Sequence, residues 1–381
     1  MLRFAPRPPP RGYTTLRKRL RRSGAGIHVV VLLLVTAWTS TSAAGDASAW
    51  SHQPYHLGQG LNFAQQNLVV GGYLSLVYSD LEHQDWMAEA RDLSLFVSKS
   101  LSNRWQLFSE IELGDSLRIS ADGPSSRHTE LDLERLYADY HAQRAVNLRV
   151  GKYLTPVGRW NLIHADPLVW TTDRPLTTSA AFARHATGAM LYGEIASSRN
   201  SLEYKLYADN SNLLDPSQKN EKAFEDVGSG PSPRNAFKRA LGGHLTYHFL
   251  NDTAQMGASY LVSKMSDLQD NQELFGADAL VTVQNVELSA EAVYRNSLGS
   301  ADHDEYGGFV QAVLPLPRRI YLIGRRERYR AALYPPTATI DTAAITYRPH
   351  KAVSLKLEYR GGKHNEIVAP TGWLGSLAIL F

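Results

Sequence analysis

Apolar and polar side chains alternate along most of this chain, and that alternation constrains the fold more than any other feature. In residues 104–113 one parity is apolar and the other is polar or charged: Trp105, Leu107, Ile111 and Leu113 against Arg104, Gln106, Glu110 and Glu112. The pattern returns in residues 202–209, 286–295 and 353–360. Because successive side chains of a strand point to opposite faces, each segment predicts a strand with one apolar and one polar face.

Sixteen such segments follow residue 67, and most are about as long as a tilted strand needs to be to cross a bilayer. The predicted strands are 68–79, 91–100, 103–113, 130–141, 145–153, 187–197, 201–209, 238–249, 253–263, 275–284, 285–295, 305–314, 318–329, 339–348, 352–361 and 371–381. Short connections such as 250–252 alternate with long polar ones such as 154–186 and 210–237. That alternation is typical of a membrane barrel with tight turns at one end and larger loops at the other.

The physics of a bilayer explains this pattern. A bilayer core offers no hydrogen-bond partner, so a sheet placed there has to close on itself. With about sixteen strands the enclosed lumen is too wide for side chains to fill, and it holds water. The predicted fold class is therefore all-β, a transmembrane antiparallel β-barrel of about 16 strands over residues 68–381. No stretch after residue 45 is apolar for eighteen residues, so no transmembrane helix is predicted there.

Residues 1–44 have the composition of an export signal. A basic lead-in precedes the apolar run 27–35, and small residues then lead to Ala44. We predict a signal peptide over 1–44, cleaved near Ala44, and a polar periplasmic lead-in over 45–67. The alternative for the first segment is a membrane anchor.

The whole-chain formal charge of +3 is misleading, because residues 1–44 carry eight basic side chains and no acidic one. Removing them leaves 32 basic against 37 acidic side chains, a formal charge of −5. The remaining chain has no Lys/Arg cluster of the kind that nucleic-acid binding requires. We therefore expect no nucleic-acid partner.

Signals for catalysis are weak. The chain has no cysteine, which excludes a Cys nucleophile or a Cys-bound metal. It also has no nucleophile elbow, P-loop or His-Glu-x-x-His motif. The pairs His83-x-Asp85 and His164-x-Asp166 supply too few ligands for a metal site. We expect no enzyme activity, no cofactor and no metal.

The C-terminal strand alternates Trp373, Gly375, Leu377, Ile379 and a terminal Phe381. This ending resembles that of bacterial outer-membrane barrel proteins, and the resemblance implies that Phe381 is read by the barrel-assembly machinery. Aromatic side chains near strand ends are typical of the girdles at the two membrane interfaces. The candidates for these girdles are Tyr73, Trp105, Tyr192, Tyr247, Tyr260, Tyr294, Tyr347 and Trp373.

The fifth predicted strand ends in Gly151-Lys152-Tyr153-Leu154-Thr155-Pro156-Val157-Gly158. This motif resembles the bacterial outer-membrane porin superfamily that includes phosphate-selective porins. The resemblance covers roughly 68–381 and implies a third outer loop that folds inward and narrows the channel, and a homotrimer. Phosphate selectivity is not implied, because the inner face shows no ladder of Arg and Lys. An ordered outer cap is the alternative role for this loop.

If the loop enters the lumen, charges on it and on the barrel wall face each other. The candidate constriction residues are Arg159, His164, Asp166, Asp173 and Arg174 on the loop and Glu110, Glu112, Arg149 and Arg295 on the wall. The parity of the strands also places Lys205, Glu287, Glu291, Lys356 and Arg360 on inward wall faces. Opposed acidic and basic sides would create a transverse field that orients polar solutes. The plainer alternative is that each charge is simply solvated by water in the pore.

A basic run lies near the outer end of the thirteenth strand, where Arg325, Arg326 and Arg328 are candidates for the pore mouth. The alternative is a charged rim in contact with lipopolysaccharide phosphates or water. The two faces of this strand are not distinguished by the sequence, because Leu322 and Ile323 are both apolar.

These patterns favour a porin of the bacterial outer membrane, which passes small hydrophilic solutes or ions by passive diffusion. Outer-membrane lipid and lipopolysaccharide would surround it. The principal alternative is a structural or adhesive barrel with a plugged lumen, whose outer loops, notably 210–237, bind a partner. A barrel enzyme is the third hypothesis.

Overall fold

The structure is a computed structural model that describes residues 55–126, 129–215, 235–266, 268, 270–299, 304–332, 334 and 336–381. In these parts eighteen strands form one sheet, and two of them, Leu61–Phe63 and Gly123–Ser125, have only three residues each. We number the other sixteen β1 (Leu68–Leu81), β2 (Met87–Ser100), β3 (Trp105–Ser120), β4 (Glu130–Gln143), β5 (Val146–Leu154), β6 (His185–Ala196), β7 (Ser201–Asp209), β8 (Phe237–Phe249), β9 (Ala254–Met265), β10 (Asn271–Val283), β11 (Val286–Ser297), β12 (Glu305–Leu316), β13 (Ile320–Arg330), β14 (Ala338–His350), β15 (Val353–Lys363) and β16 (Gly372–Leu380).

The sheet closes into a barrel. Each long strand pairs antiparallel with the next, and β16 pairs with β1 from Gly372–Leu81 to Leu380–Tyr73. At this seam Gly72 and Phe381 exchange two backbone hydrogen bonds of 2.9 and 2.8 Å. A Cβ on Gly72 would lie 2.2 Å from the carbonyl oxygen of Ser94, so the close approach requires glycine. The predicted antiparallel barrel of sixteen strands is confirmed.

The alternation predicted from the sequence appears as two faces of the barrel. In β7 Leu206 is exposed whereas Tyr207 and Asp209 are buried, and in β13 Leu322 is exposed whereas Arg325 is buried. The apolar side chains therefore cover the outside and the polar ones line the interior. This is the arrangement that a sheet surrounded by lipid needs.

The largest boundary difference is in β3, which runs to Ser120 although the pattern predicts an end at residue 113. The β2–β3 register shifts between Ala90 and Asp92, and Asp115 has a φ of 47°. Such an irregularity adds a residue to one strand of the pair and interrupts the ladder locally. The alternation continues beyond it with exposed Leu117 and Ile119, so the predicted strand ended too early.

The two ends of the barrel differ in their connections. At one end, which we call the turn end, the connections are short: 101–104, 144–145, 197–200, 250–253, 284–285, 317–319 and 351–352. Gln284 and Asn285 have φ values of 50° and 68°, as a two-residue hairpin turn requires. The opposite end, which we call the loop end, carries the longer connections, of which 155–184 joins β5 to β6.

Six of the eight predicted girdle aromatics are exposed: Trp105, Tyr247, Tyr260, Tyr294, Tyr347 and Trp373. The prediction was wrong for Tyr73 and Tyr192. Tyr73 is buried and donates its hydroxyl to Glu112 over 2.7 Å. The ring centroid of Tyr192 lies 5.5 Å from the guanidinium carbon of Arg149. Both rings belong to the interior face.

The predicted signal peptide, 1–44, lies outside the described residues. Of the predicted lead-in 45–67, the description begins at Tyr55, and Leu61–Phe63 pairs antiparallel with the first residues of β1. Within the described ranges, no helix has the length and apolar character to span a membrane.

Candidate functional site

Residues 155–184, which we call the long loop, are mostly buried, including Thr155, Val157 and Phe182. The loop contains the short helical turns Trp160–Leu162, Asp166–Leu168 and Leu176–Ser179. Its apolar side chains pack with inward-facing residues of the strands in the largest buried cluster, which includes Val157, Leu176, Ala181, Phe182, Tyr207, Leu261 and Tyr329. Because buried backbone N–H and C=O groups need partners, the hydrogen bonds of this loop show which strands it contacts.

Glu291 of β11 binds the beginning of the long loop. Its Oε1 accepts hydrogen bonds from the backbone N–H groups of Arg159 and Trp160, over 2.8 and 2.7 Å. Gly158 has a φ of +62°, and a Cβ there would lie 2.5 Å from Oε2 of Glu291. The glycine of the sequence motif is therefore required by both backbone conformation and space. The sequence predicts a role for the charged side chain of Arg159, whereas the bond to Glu291 uses its backbone N–H.

Three further acidic side chains on the inner face accept hydrogen bonds from the long loop. The bonds are Trp170 Nε1 to Glu287 (3.0 Å), Thr172 N to Glu358 (2.8 Å) and Thr177 N to Glu327 (3.3 Å). These carboxylates lie on β11, β15 and β13. The loop therefore contacts strands that are far from β5 and β6 around the barrel.

Basic side chains of the same wall bind the carbonyl and hydroxyl oxygens of the loop. The bonds are Arg295 to Ala181 O (3.0 Å), Arg325 to Thr171 Oγ1 (2.8 Å), Arg348 to Leu168 O (3.2 Å) and Lys356 to Asp166 O (2.8 Å) and Thr171 O (3.1 Å). The sequence predicts opposed charges across open water, whereas here the charged wall binds the loop backbone directly.

Two carboxylates of the loop have cationic neighbours. Asp173 pairs with Arg360, and both side chains are buried. Asp166 accepts a hydrogen bond of 2.5 Å from Ser75. Burial alone would raise the pKa of Asp166, but the nearby cations, first Lys356, outweigh it and lower the pKa below its usual 3.8. Asp166 is therefore held as a carboxylate by its surroundings.

His164 contacts acidic residues of the wall. Its Nε2 lies 3.5 Å from Glu134 and 3.7 Å from Glu112. Glu110, Glu112 and His164 each place one ligand atom within 4.8 Å of the others, a spacing that could hold a cation. Protein groups already satisfy both carboxylates: Ser94 and Arg135 donate to Glu110 over 2.6 and 2.5 Å, and Tyr73 donates to Glu112. Each carboxylate of the set therefore already has a hydrogen-bond donor from the protein.

The remaining candidates lie in two places. Arg174 donates to the carbonyl oxygens of Trp160 (3.4 Å) and His164, so it joins two parts of the long loop. Arg149 of β5 makes two hydrogen bonds of 2.8 Å to Asp139 of β4. Arg149 thus lies on the wall away from the residues that bind the loop on β11–β15.

The pore-mouth prediction is corrected for all three arginines. Arg325 is buried midway along β13 and binds the long loop. Arg326 and Arg328 have the opposite parity, which is the outer face. Arg326 lies 3.6 Å from Asp341 of β14, with side chains 67% and 57% exposed. The reason is the register of β13, because its inward residues are those that share the parity of Ile323.

The sequence patterns do not predict several residues that bind the loop. Glu327 shares the predicted basic run but was not singled out, and Glu134, Arg348 and Glu358 were not candidates. The feature that could have identified them is their position on the inward-facing side of a strand, as for Glu358, which has the same parity as Lys356 and Arg360. What the sequence lacks is any indication of which inward charges face the loop.

The fold is that of bacterial outer-membrane porins. Salmonella typhi OmpF in complex with daunomycin superposes with a TM-score of 0.58 at 13% identity, over 84% of this chain and 99% of that one. An anion-selective porin from Comamonas acidovorans gives 0.55 at 11% identity, over 82% and 99%. The trimer form of Vibrio cholerae OmpT gives 0.53 at 9% identity, over 82% and 99%.

At these identities the likeness concerns the fold alone. No family model matches the sequence, and no curated protein matches it.

Proposed function

We propose that this chain is a porin of the bacterial outer membrane, which lets small hydrophilic solutes or ions diffuse through a water-filled barrel. The observation that carries this proposal is a closed barrel of sixteen long strands whose long loop hydrogen-bonds to inward side chains of strands across the interior. A barrel of this size encloses more space than its own side chains fill. The long loop then folds inward and sets the width of the channel.

The selectivity of the channel follows from charges around this loop. Arg159 and Arg174 lie on the loop with His164, Asp166 and Asp173, and Glu110, Glu112, Arg149 and Arg295 lie on the wall. Because many of these charges are paired inside the protein, the field in the remaining water comes from the less buried members, such as Arg149.

The orientation and partners follow from the barrel. The turn end would face the periplasm and the loop end the exterior. The exposed apolar face would contact outer-membrane lipid and lipopolysaccharide, and Phe381 at the seam would be read by the barrel-assembly machinery. One structural neighbour is a trimer, and we extend a homotrimer to this chain. Its action is passive, so we assign it no enzyme activity and no cofactor.

The test is single-channel conductance of the folded protein in planar bilayers. Replacing 160–180 by a short Gly/Ser linker is expected to raise the conductance, whereas removing 121–126 from another loop is the control and should leave it unchanged. No ion current from correctly folded protein would contradict the proposal. Liposome swelling with sugars separates it from an adhesive barrel with a plugged lumen, which would give no swelling.

A further inference from the structure

The long loop binds one side of the barrel interior. Its hydrogen bonds reach β11, β13, β14 and β15, and also Ser75 of β1 and Ser259 of β9. On the wall formed by β2–β6 it contacts the half nearer the loop end, where His164 lies 3.7 Å from Glu112. The turn-end half of β2–β6 carries none of these bonds, and in the described residues β7, β8 and β10 carry none either. Solute passing the loop can therefore contact the turn-end half of β2–β6.

Four inward aromatic side chains cross this part of the wall, and we call them the aromatic stripe: Phe96, Phe108, Tyr137 and Tyr192. The ring centroids of Phe96 and Phe108 are 6.2 Å apart, and those of Phe108 and Tyr137 are 5.2 Å apart, with planes within 20° of parallel. Arg149 lies between the last two rings, with its guanidinium carbon 3.7 Å from the Tyr137 centroid and 5.5 Å from that of Tyr192. The row is continuous across β2–β6.

The position of the aromatic stripe is unusual for rings of this kind. Aromatic girdles of barrels face the lipid interface, whereas these four rings face the interior and stay partly exposed there. Tyr137 and Tyr192 border the apolar cluster of the long loop, and Phe96 and Phe108 continue the row beyond it. A row of partly exposed rings on the wall of an aqueous lumen offers a surface for ring-bearing solutes.

Two arginines give the aromatic stripe a positive character. Arg135 lies 4.7 Å from the centroid of Phe108 and pairs with Glu110, and Arg149 pairs with Asp139. In each pair the guanidinium is the more exposed partner: 21% against 0% for the first and 23% against 6% for the second. The carboxylates are shielded behind the arginines. A solute at this wall therefore contacts rings and guanidinium groups.

We propose that the aromatic stripe, together with Arg135 and Arg149, is a binding site for planar organic anions, with aromatic carboxylates as the substrate class. A solute ring stacks against the aromatic side chains, and its carboxylate accepts hydrogen bonds from a guanidinium. Inorganic anions lack the ring, and aromatic cations are repelled by the exposed guanidinium groups. This inference rests on the proposed porin function and names what the pore prefers.

The test measures KCl current through the full-length folded protein in planar bilayers while benzoate is added. Acetate serves as an anion without a ring, and benzylammonium as a ring with the opposite charge. Tyr137→Leu removes a ring from the aromatic stripe, and Tyr140→Leu is the matched control, because Tyr140 lies on the same strand and packs on the outer Trp105 at 4.9 Å. Arg149→Gln is combined with Asp139→Asn so that no buried carboxylate loses its partner.

Benzoate is expected to block wild-type current at roughly fivefold lower concentration than acetate or benzylammonium. Tyr137→Leu and the Arg149→Gln/Asp139→Asn variant should each lose this preference, and Tyr140→Leu should keep it. Equal block by benzoate and acetate, equal block by benzylammonium, or a preference that survives Tyr137→Leu would overturn the inference. A normal KCl current in those cases leaves the porin proposal standing, whereas absence of any current in folded wild type contradicts the porin proposal itself.

Discussion

Glu291 offers the sharpest test of how the long loop is held against the barrel wall. The substitution Glu291→Ala removes the acceptor of two buried backbone N–H groups, those of Arg159 and Trp160. Each buried donor left without a partner costs about 1–3 kcal/mol. Losing both therefore weakens the bound state of the loop by about 2–6 kcal/mol, which raises the population of released loop by at least roughly 30-fold.

Proteolysis measures that population directly. When opening is fast relative to cleavage, the cleavage rate is proportional to the fraction of molecules with the segment released. We expect cleavage within 155–184, located by mass spectrometry, to rise by the factor above in the Glu291→Ala variant. Glu291→Gln keeps an oxygen acceptor at the same place, and its effect should be less than tenfold.

The refuting result is equally specific. If the Glu291→Ala barrel keeps its heat-resistant gel mobility and its long loop is cleaved at the wild-type rate, then these two hydrogen bonds do not hold the loop. The contact between the loop and the wall would then need another explanation, such as packing of its apolar side chains alone.

Three further predictions concern other parts of the barrel. Because the pKa of Asp166 is lowered below 3.8, its carboxylate stabilises the bound loop above that pH and loses this effect as the pH falls through the lowered pKa. Pepsin cleavage of the loop should therefore rise only below about pH 3.8. The Asp166→Asn variant should lack that pH dependence. Gly72→Ala should destabilise the barrel by about 1–3 kcal/mol and so lower the temperature at which it loses its folded gel mobility. Gly324→Ala, where a Cβ meets nothing within 4 Å, should leave that temperature unchanged. Asp341→Asn leaves Arg326 without its acidic neighbour on the outer face, and urea unfolding in lipid vesicles should show a lower midpoint, by up to about 1 kcal/mol of stability; an unchanged midpoint would contradict this.

The sequence predicted the barrel well because its strands have two chemically different faces. Where one face is clearly apolar, as with Leu202 and Leu206 in β7, the parity of every residue is determined. The prediction failed for the ring of Tyr73, because β1 has apolar residues of both parities, including Leu74 and Val77. In β13 the same ambiguity placed Arg326 at a pore mouth, although it belongs to the outer face.

The contacts of the long loop were beyond the sequence for a different reason. Periodicity reports which face a side chain belongs to, but not which distant segment contacts it. The residues Glu291 and Lys356 were identified as inward from parity alone, and both bind the loop. The partners Arg159 and Thr171 lie in irregular backbone, where no repeating pattern exists to indicate direction.

The separation in sequence between the long loop and its partners has a consequence for biogenesis. Arg159 and Glu291 are 132 residues apart, and Thr172 and Glu358 are 186 residues apart. The C-terminal strands that complete the barrel thus also supply the acceptors that the loop requires. A chain truncated after β10 would retain the loop with those backbone donors unmatched, so protease sensitivity of this single segment would distinguish an unfinished molecule from a finished one.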